Sequence, residues 1–126
     1  MAGRYVLLIE DEPHIAEAIQ FILMRAGWRV SVRADGAQAL QAIAQERPDV
    51  VVLDLMLPGR SGLEILSDLR ADPALADLPV LMLSARSQQR DREAAGRAGA
   101  TAFLAKPFAN ADVLAAVRRL AGEEPA

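Results

Sequence analysis

Five short apolar runs, each followed by a helical stripe, constrain this chain more than any other feature. The runs are Tyr5–Ile9, a stretch within Trp28–Ala34, Val50–Leu53, Val80–Leu83 and Ala102–Ala105. Val50-Val51-Val52-Leu53 is an unbroken branched run, which reads as a strand buried on both faces, the mark of a parallel sheet. The second run instead alternates, with Trp28, Val30, Val32 and Ala34 on one face and Arg29, Ser31 and Arg33 on the other. That pattern suits an edge strand with one wet face. Between the runs, Ile15, Ile19, Ile22, Leu23 and Ala26 form an amphipathic stripe after Pro13, closed by Gly27. Ala39, Leu40, Ile43 and Ala44 give a second helix, ended before Pro48. Ser61-Gly62-Leu63-Glu64 has the form of a capping box and opens a third helix reaching about Arg70. Arg86–Arg97 is a fourth helix, and a fifth starts at Asn110 or Asp112 with Val113, Leu114, Val117 and Leu120 inward. Strands this short, separated by helices, pair in parallel through right-handed crossovers. The expected fold class is α/β, a doubly wound five-stranded parallel sheet.

The length of 126 residues suits one domain with a real core. The expected limits are 1–122 for the domain and 123–126 for a tail or the start of a linker. A net charge of −3 gives no surface built for nucleic acid or for acidic membrane. The absence of cysteine excludes disulfides, thiolate metal sites and thiol chemistry. No apolar run is long enough to span a bilayer and no secretory leader precedes the first strand, so a cytoplasmic protein is expected. Thirteen of the fourteen basic residues are Arg, and the sole Lys, Lys106, lies in the apolar stretch Phe103-Leu104-Ala105-Lys106-Pro107-Phe108. A compact ammonium at that one point is a different tool from a guanidinium fork.

Asp54 follows the central run without a break. An ionised carboxylate inside such a strand would be costly to desolvate, so it belongs at the C-terminal end, where open α/β sheets bind ligands. Taken alone it reads either as a nucleophile on a rigid strand end or as the cap of a loop. The other strands end in Glu10-Asp11, Ser84 and Lys106. In a parallel sheet these ends share one edge, so three carboxylates, a hydroxyl and the only Lys meet there. Glu10-Asp11-Glu12 also supplies favourable charge to a helix N-terminus. The fourth helix has only Ala94, Ala95 and Ala98 as apolar face and carries Gly96 inside, so it is held weakly.

Across essentially the whole chain these pieces resemble the receiver domain of two-component response regulators. They are Glu10-Asp11, Asp54 within "VVLDLMLPGRSG", Ser84-Ala85, and "FLAKPF" with Lys106. The resemblance implies a flavodoxin-like (βα)5 fold with strand order 2-1-3-4-5. It implies that Asp54 accepts a phosphoryl group in a magnesium-dependent reaction, with manganese as a substitute. Asp11 and Asp54 would be direct metal ligands, Met56 would offer its carbonyl and Glu10 would act through water. Lys106 and Ser84 would stabilise the phosphoryl oxygens, as preorganised donors do in phosphoryl transfer. Ser84 and Phe103 would be the switch residues, changing the face made by the fourth helix, fifth strand and fifth helix. Met56 and Arg86 would flank the site, and Lys106-Pro107 would be a cis bond. The implied donor is a sensor histidine kinase or a histidine phosphotransfer protein, and the implied target is a downstream effector domain or protein. On this reading the domain is a signalling switch that promotes its own phosphorylation and dephosphorylation, not a turnover enzyme. It contacts neither nucleic acid nor membrane directly.

Two departures matter. Phe103 lacks the hydroxyl of a Tyr and can signal only by packing. Thr101-Ala102 stands where winged-helix regulators often place an acidic pair that joins a dimer interface, so a monomer or a weak phosphorylation-dependent dimer is expected. His14, the only histidine, reads as a solvated first-turn residue. Arg90, Arg92, Arg97, Arg118 and Arg119 read as a solvated, partner-facing surface.

Three rival readings fit the sequence less well. A haloacid-dehalogenase-type hydrolase needs a second Asp two residues after its nucleophile, where this chain has Met56. A flavodoxin-type flavin module needs a hydroxyl- and Gly-rich loop after the first strand, where this chain has Glu10-Asp11-Glu12. A receiver-like interaction module that never takes phosphate is the third, and the complete set of reactive groups speaks against it.

Overall fold

The computed structural model describes residues 4–84 and 88–122. Five strands, β1 (Tyr5–Ile9), β2 (Arg29–Arg33), β3 (Val50–Asp54), β4 (Val80–Ser84) and β5 (Ala102–Ala105), form one sheet. Its order is β2-β1-β3-β4-β5 and every pairing is parallel. The helices are α1 (Pro13–Arg25), α2 (Ala39–Glu46), α3 (Gly62–Ala71), α4 (Gln88–Ala98) and α5 (Asn110–Leu120). The fold class and strand order are those expected. Ala85 and Arg86, and with them the expected start of the fourth helix and one expected flank of the site, lie outside the described residues.

The two sheet faces bury two separate cores. Leu7, Ile9, Val51, Leu53, Val80 and Met82 pack against α2, α3 and Ala95 of α4. Val6, Leu8, Val50, Val52, Leu81 and Leu83 pack against α1, α5 and Trp28. Successive side chains of a strand alternate between faces, so a strand covered on both sides must be apolar throughout. That is why β1, β3 and β4 read as continuous runs, and each such side chain fully buried stabilises the fold by about 1.5–3 kcal/mol. β2 and β5, at the two edges, are only partly buried.

Local chemistry sets the turns near the C-terminal edge. The Ser61 hydroxyl accepts from the Glu64 N–H at 3.2 Å, half of the expected capping box, while the Glu64 carboxylate turns to Arg60. Gly62, the first residue of α3, lies against the backbone of Asp54 and Leu55, so a methyl there would collide with the Asp54 carbonyl oxygen. The Asp35-Gly36 turn continues as a 3-10 turn, Gly36–Gln38, capped by Asp35. The Lys106–Pro107 bond is cis.

Candidate functional site

The register carries the reactive groups to one rim. Ile9 pairs with Leu53, which sets Glu10 level with Asp54, and Asp54 pairs with Leu83. Ser84 pairs with Ala105, and Lys106 donates its N–H to the Ser84 carbonyl at 2.7 Å. Alternation then sorts the side chains by face. Glu10, Asp54 and Lys106 continue the series of Leu8, Val52 and Leu104, the α1/α5 side. Ser84 and Phe103 continue the series of Met82 and its neighbours, the α2/α3/α4 side.

On the first side the groups meet. Lys106 Nζ lies 3.2 Å from Asp54 Oδ2 and 3.1 Å from Glu10 Oε1. Glu10, Asp11 and Asp54 each present a carboxylate oxygen within 4.8 Å of the other two. Asp54 is 3% exposed and Glu10 1%, while Asp11 is open to solvent. The Met56 N–H approaches Asp54 Oδ1 at 3.4 Å, and the Glu12 N–H donates to Glu10 Oε2 at 3.1 Å. Burial, and after it the Asp54 charge, pushes the Glu10 carboxyl up to about 7, against the opposing pull of the Glu12 N–H and Lys106. Burial draws Lys106 down, but Asp54 and then Glu10 outweigh it, and the net shift is upward. Lys106 is therefore an ammonium throughout the neutral range.

Three acids against one ammonium leave an excess of negative charge at a half-closed rim. Glu10 Oε1 is buried and, the ion pair with Lys106 apart, makes no hydrogen bond. An all-oxygen, acid-rich donor set whose charge a single ammonium only partly offsets fits a hard dication of the magnesium type.

A family model for the response regulator receiver domain matches residues 6–118. The chain is a member of that family. Relatives include the DNA-binding response regulator MtrA of Mycolicibacterium smegmatis, 38% identical over 124 residues, which cover 96% of this chain and 53% of that protein. The response regulator MprA of Mycolicibacterium vanbaalenii is 41% identical over 115 residues, 91% of this chain and 49% of that one. The receiver domain thus spans about half the length of the curated relatives it matches. Among solved structures, the receiver domain of a Pseudomonas aeruginosa sensor histidine kinase, with magnesium coordinated in its active-site cleft, superposes with a TM-score of 0.87. It is 35% identical, with 96% of this chain and 99% of that one covered. A chemotaxis response regulator of Vibrio cholerae gives 0.86 at 29% identity, covering 94% and 99%. As a receiver domain the chain is a phosphorylation-dependent signalling module, and no helix among its described residues is long and apolar enough to cross a membrane.

The second group of expected residues, Ser84 and Phe103, turns toward α4. The Ser84 hydroxyl donates to the Asp91 carboxylate, and both residues are buried. Phe103 is partly buried in the α4-side core, with the Arg92 guanidinium 4.9 Å from its ring centroid. Sequence reasoning singled out neither Asp91 nor the contact of Arg92 with Phe103, while Arg92 itself is exposed, as expected. The signal for Asp91 was present: Asp91, Ala95 and Ala98 recur at i, i+4 and i+7, which places the Asp on the inward stripe of α4. Thr101, in place of an acidic residue, is a structural joint whose hydroxyl accepts from the Val80 N–H at 3.0 Å. His14 is exposed, as expected.

Proposed function

We propose that this receiver domain accepts a phosphoryl group on Asp54 from a phosphohistidine of a sensor kinase or phosphotransfer protein, and that the resulting acyl phosphate changes the α4-β5-α5 face to control an output. The observation that carries this reading is the Asp54 carboxylate at 3.2 Å from the only lysine, with two further carboxylates within 4.8 Å. A core aspartate serving only structure would not need two like charges beside it.

Glu10, Asp11, Asp54 and the Met56 carbonyl would hold the metal, which when bound neutralises charge on the phosphoryl oxygens. An Asp54 carboxylate oxygen attacks phosphorus while the phosphorus–nitrogen bond of the donor breaks. The electron pair returns to the imidazole nitrogen, and the product is an aspartyl phosphate. Lys106 is preorganised for this step, since its ammonium is fixed by Glu10 and Asp54 before the phosphoryl group arrives. The buried walls of β1, β3 and β4 keep the carboxylate in place. A groove lined by Ile15, Ala18, Lys106 and Phe108 opens beside the rim and gives the donor's histidine-bearing element a surface to approach.

On this reading residues 1–122 are the receiver unit and 123–126 the tail or linker start. Magnesium is the resident ion with manganese as substitute, and the domain acts in the cytoplasm as a switch that catalyses only its own modification. The effector it controls is a further domain or a separate protein, and nucleic acid is not contacted by this domain. It works as a monomer or as a dimer formed weakly on phosphorylation.

Beryllofluoride, which mimics an aspartyl phosphate, tests the proposal. Titrated with magnesium and followed by amide NMR, it should bind the wild type and shift resonances of α4 and β5. It should not bind Asp54→Asn. Equal binding by that variant would overturn the assignment.

A further inference from the structure

Two switch candidates on the α4 side of the sheet are each held by a residue of the same helix turn. The Ser84 hydroxyl donates a hydrogen bond to Asp91, and Phe103 lies under Arg92, the next residue. Ser84 is fully buried and Asp91 is 4% exposed, so this is an interior hydrogen bond and not a surface contact. A buried carboxylate that loses its donor has no water to replace it. The geometry therefore gives the Ser84 hydroxyl two competing acceptors, one present now on α4 and one that would appear on Asp54.

We propose that Asp91 is a positioning residue: it keeps the Ser84 hydroxyl committed to α4 until a phosphoryl group on Asp54 takes it over. The inference rests on the reading of Asp54 as phosphoacceptor and adds the link by which the chemistry reaches the helix. When Ser84 changes partner, Asp91 is left buried and unpaired. The first turn of α4 must then shift to bring that carboxylate to water. α4 can do so at small cost, because Asp91 and Ala95 are its only buried residues among those described. The same shift withdraws Arg92 from Phe103 and frees the ring to move. A ligand can bias two states only through contacts that differ between them, and the Ser84 hydroxyl makes such a contact in each.

The test is a double-mutant cycle on magnesium-dependent beryllofluoride affinity, with wild type, Asp91→Ala, Asp91→Asn, Ser84→Ala and the double variants Ser84→Ala/Asp91→Ala and Ser84→Ala/Asp91→Asn. Removing the competing acceptor should tighten binding about tenfold in Asp91→Ala, the scale of a hydrogen bond to a charged group. The isosteric Asp91→Asn should tighten it less. In the Ser84→Ala background either change at Asp91 should alter affinity less than about twofold, since no hydroxyl remains to release. Before ligand is added, α4 amide resonances of Asp91→Ala should already lie part-way toward their beryllofluoride-bound positions. Should Asp91→Ala fail to fold, the Asn pair completes the cycle. Equal effects in the two backgrounds, or weaker binding by the Asp91 variants, would overturn the proposal and mark Asp91 as a structural cap. Failure of the wild type to bind beryllofluoride would instead overturn the phosphoacceptor reading itself.

Discussion

Glu10 shows how the rim stores unfavourable electrostatics for use. Its carboxyl is raised from an ordinary 4.5 to about 7, first by burial and then by Asp54. The folded state therefore holds a proton that the unfolded chain has released between those two values, so stability contributed by Glu10 falls as pH rises from 4.5 to 7. In metal-free protein, denaturant unfolding across that window should show Glu10→Gln gaining on wild type by a few kcal/mol, with no further change above pH 8. A wild-type-minus-variant difference that is flat with pH would refute this. Magnesium should flatten the slope as well, since binding to carboxylates releases their protons. Lys106→Ala is expected to leave metal binding largely intact but to uncouple beryllofluoride binding from the NMR shifts at Phe103. Unchanged Phe103 shifts in that variant would count against the assigned role. The convergence of Glu10, Asp11, Asp54 and Lys106 was legible because parallel strands share an edge and these residues end the apolar runs. What the residues did not disclose is that the Ser84 hydroxyl faces α4, although alternation along β4 already puts it on the side of Val80 and Met82.

At the scale of elements, α4 is thinly packed, with Ala95 the one buried apolar side chain among its described residues and a glycine in its interior. Gly96 lies within the helix with open space where a side chain would go, while Gly99 has φ +104 and sits against the Arg70 side chain. Gly96→Ala should stabilise the domain by about 0.5–1 kcal/mol, and Gly99→Ala should destabilise it by at least as much. Chemical denaturation of the two variants, one residue turn apart, reads both signs. Gly62→Ala should cost roughly 1–3 kcal/mol, because the added methyl meets the backbone of Asp54 and Leu55, which cannot give way as a flexible side chain would. Amide exchange should be fastest in α4 among the five helices and as slow in α1 as in β3. Protection of α4 equal to that of α1 would contradict this. The strands and their order emerged from apolar runs and resemblance, whereas the 3-10 turn at Gly36–Gln38 did not, since its cap depends on how Asp35 folds back onto Ala37.

For the molecule as a whole, the sheet divides labour between its faces. One face gathers Glu10, Asp54 and Lys106 beside α1 and α5, and the other ties Ser84 and Phe103 to α4. The two groups thus lie at the same strand ends, β3 being buried throughout while α4 is thinly packed. The architecture was readable from period and length because every element buries one stripe or two faces. Which helix residue answers which strand residue was not, because α4 contributes through a polar contact that hydropathy does not register. The account's central claim is that the rim makes Asp54 a metal-dependent phosphoacceptor. The direct measurement is incubation with acetyl phosphate, followed by intact mass and peptide mapping. The account predicts one phosphoryl group on Asp54, formed with magnesium and lost with chelator or in Asp54→Asn. Incorporation that is undiminished in that variant, or that proceeds equally well without the metal, would contradict it.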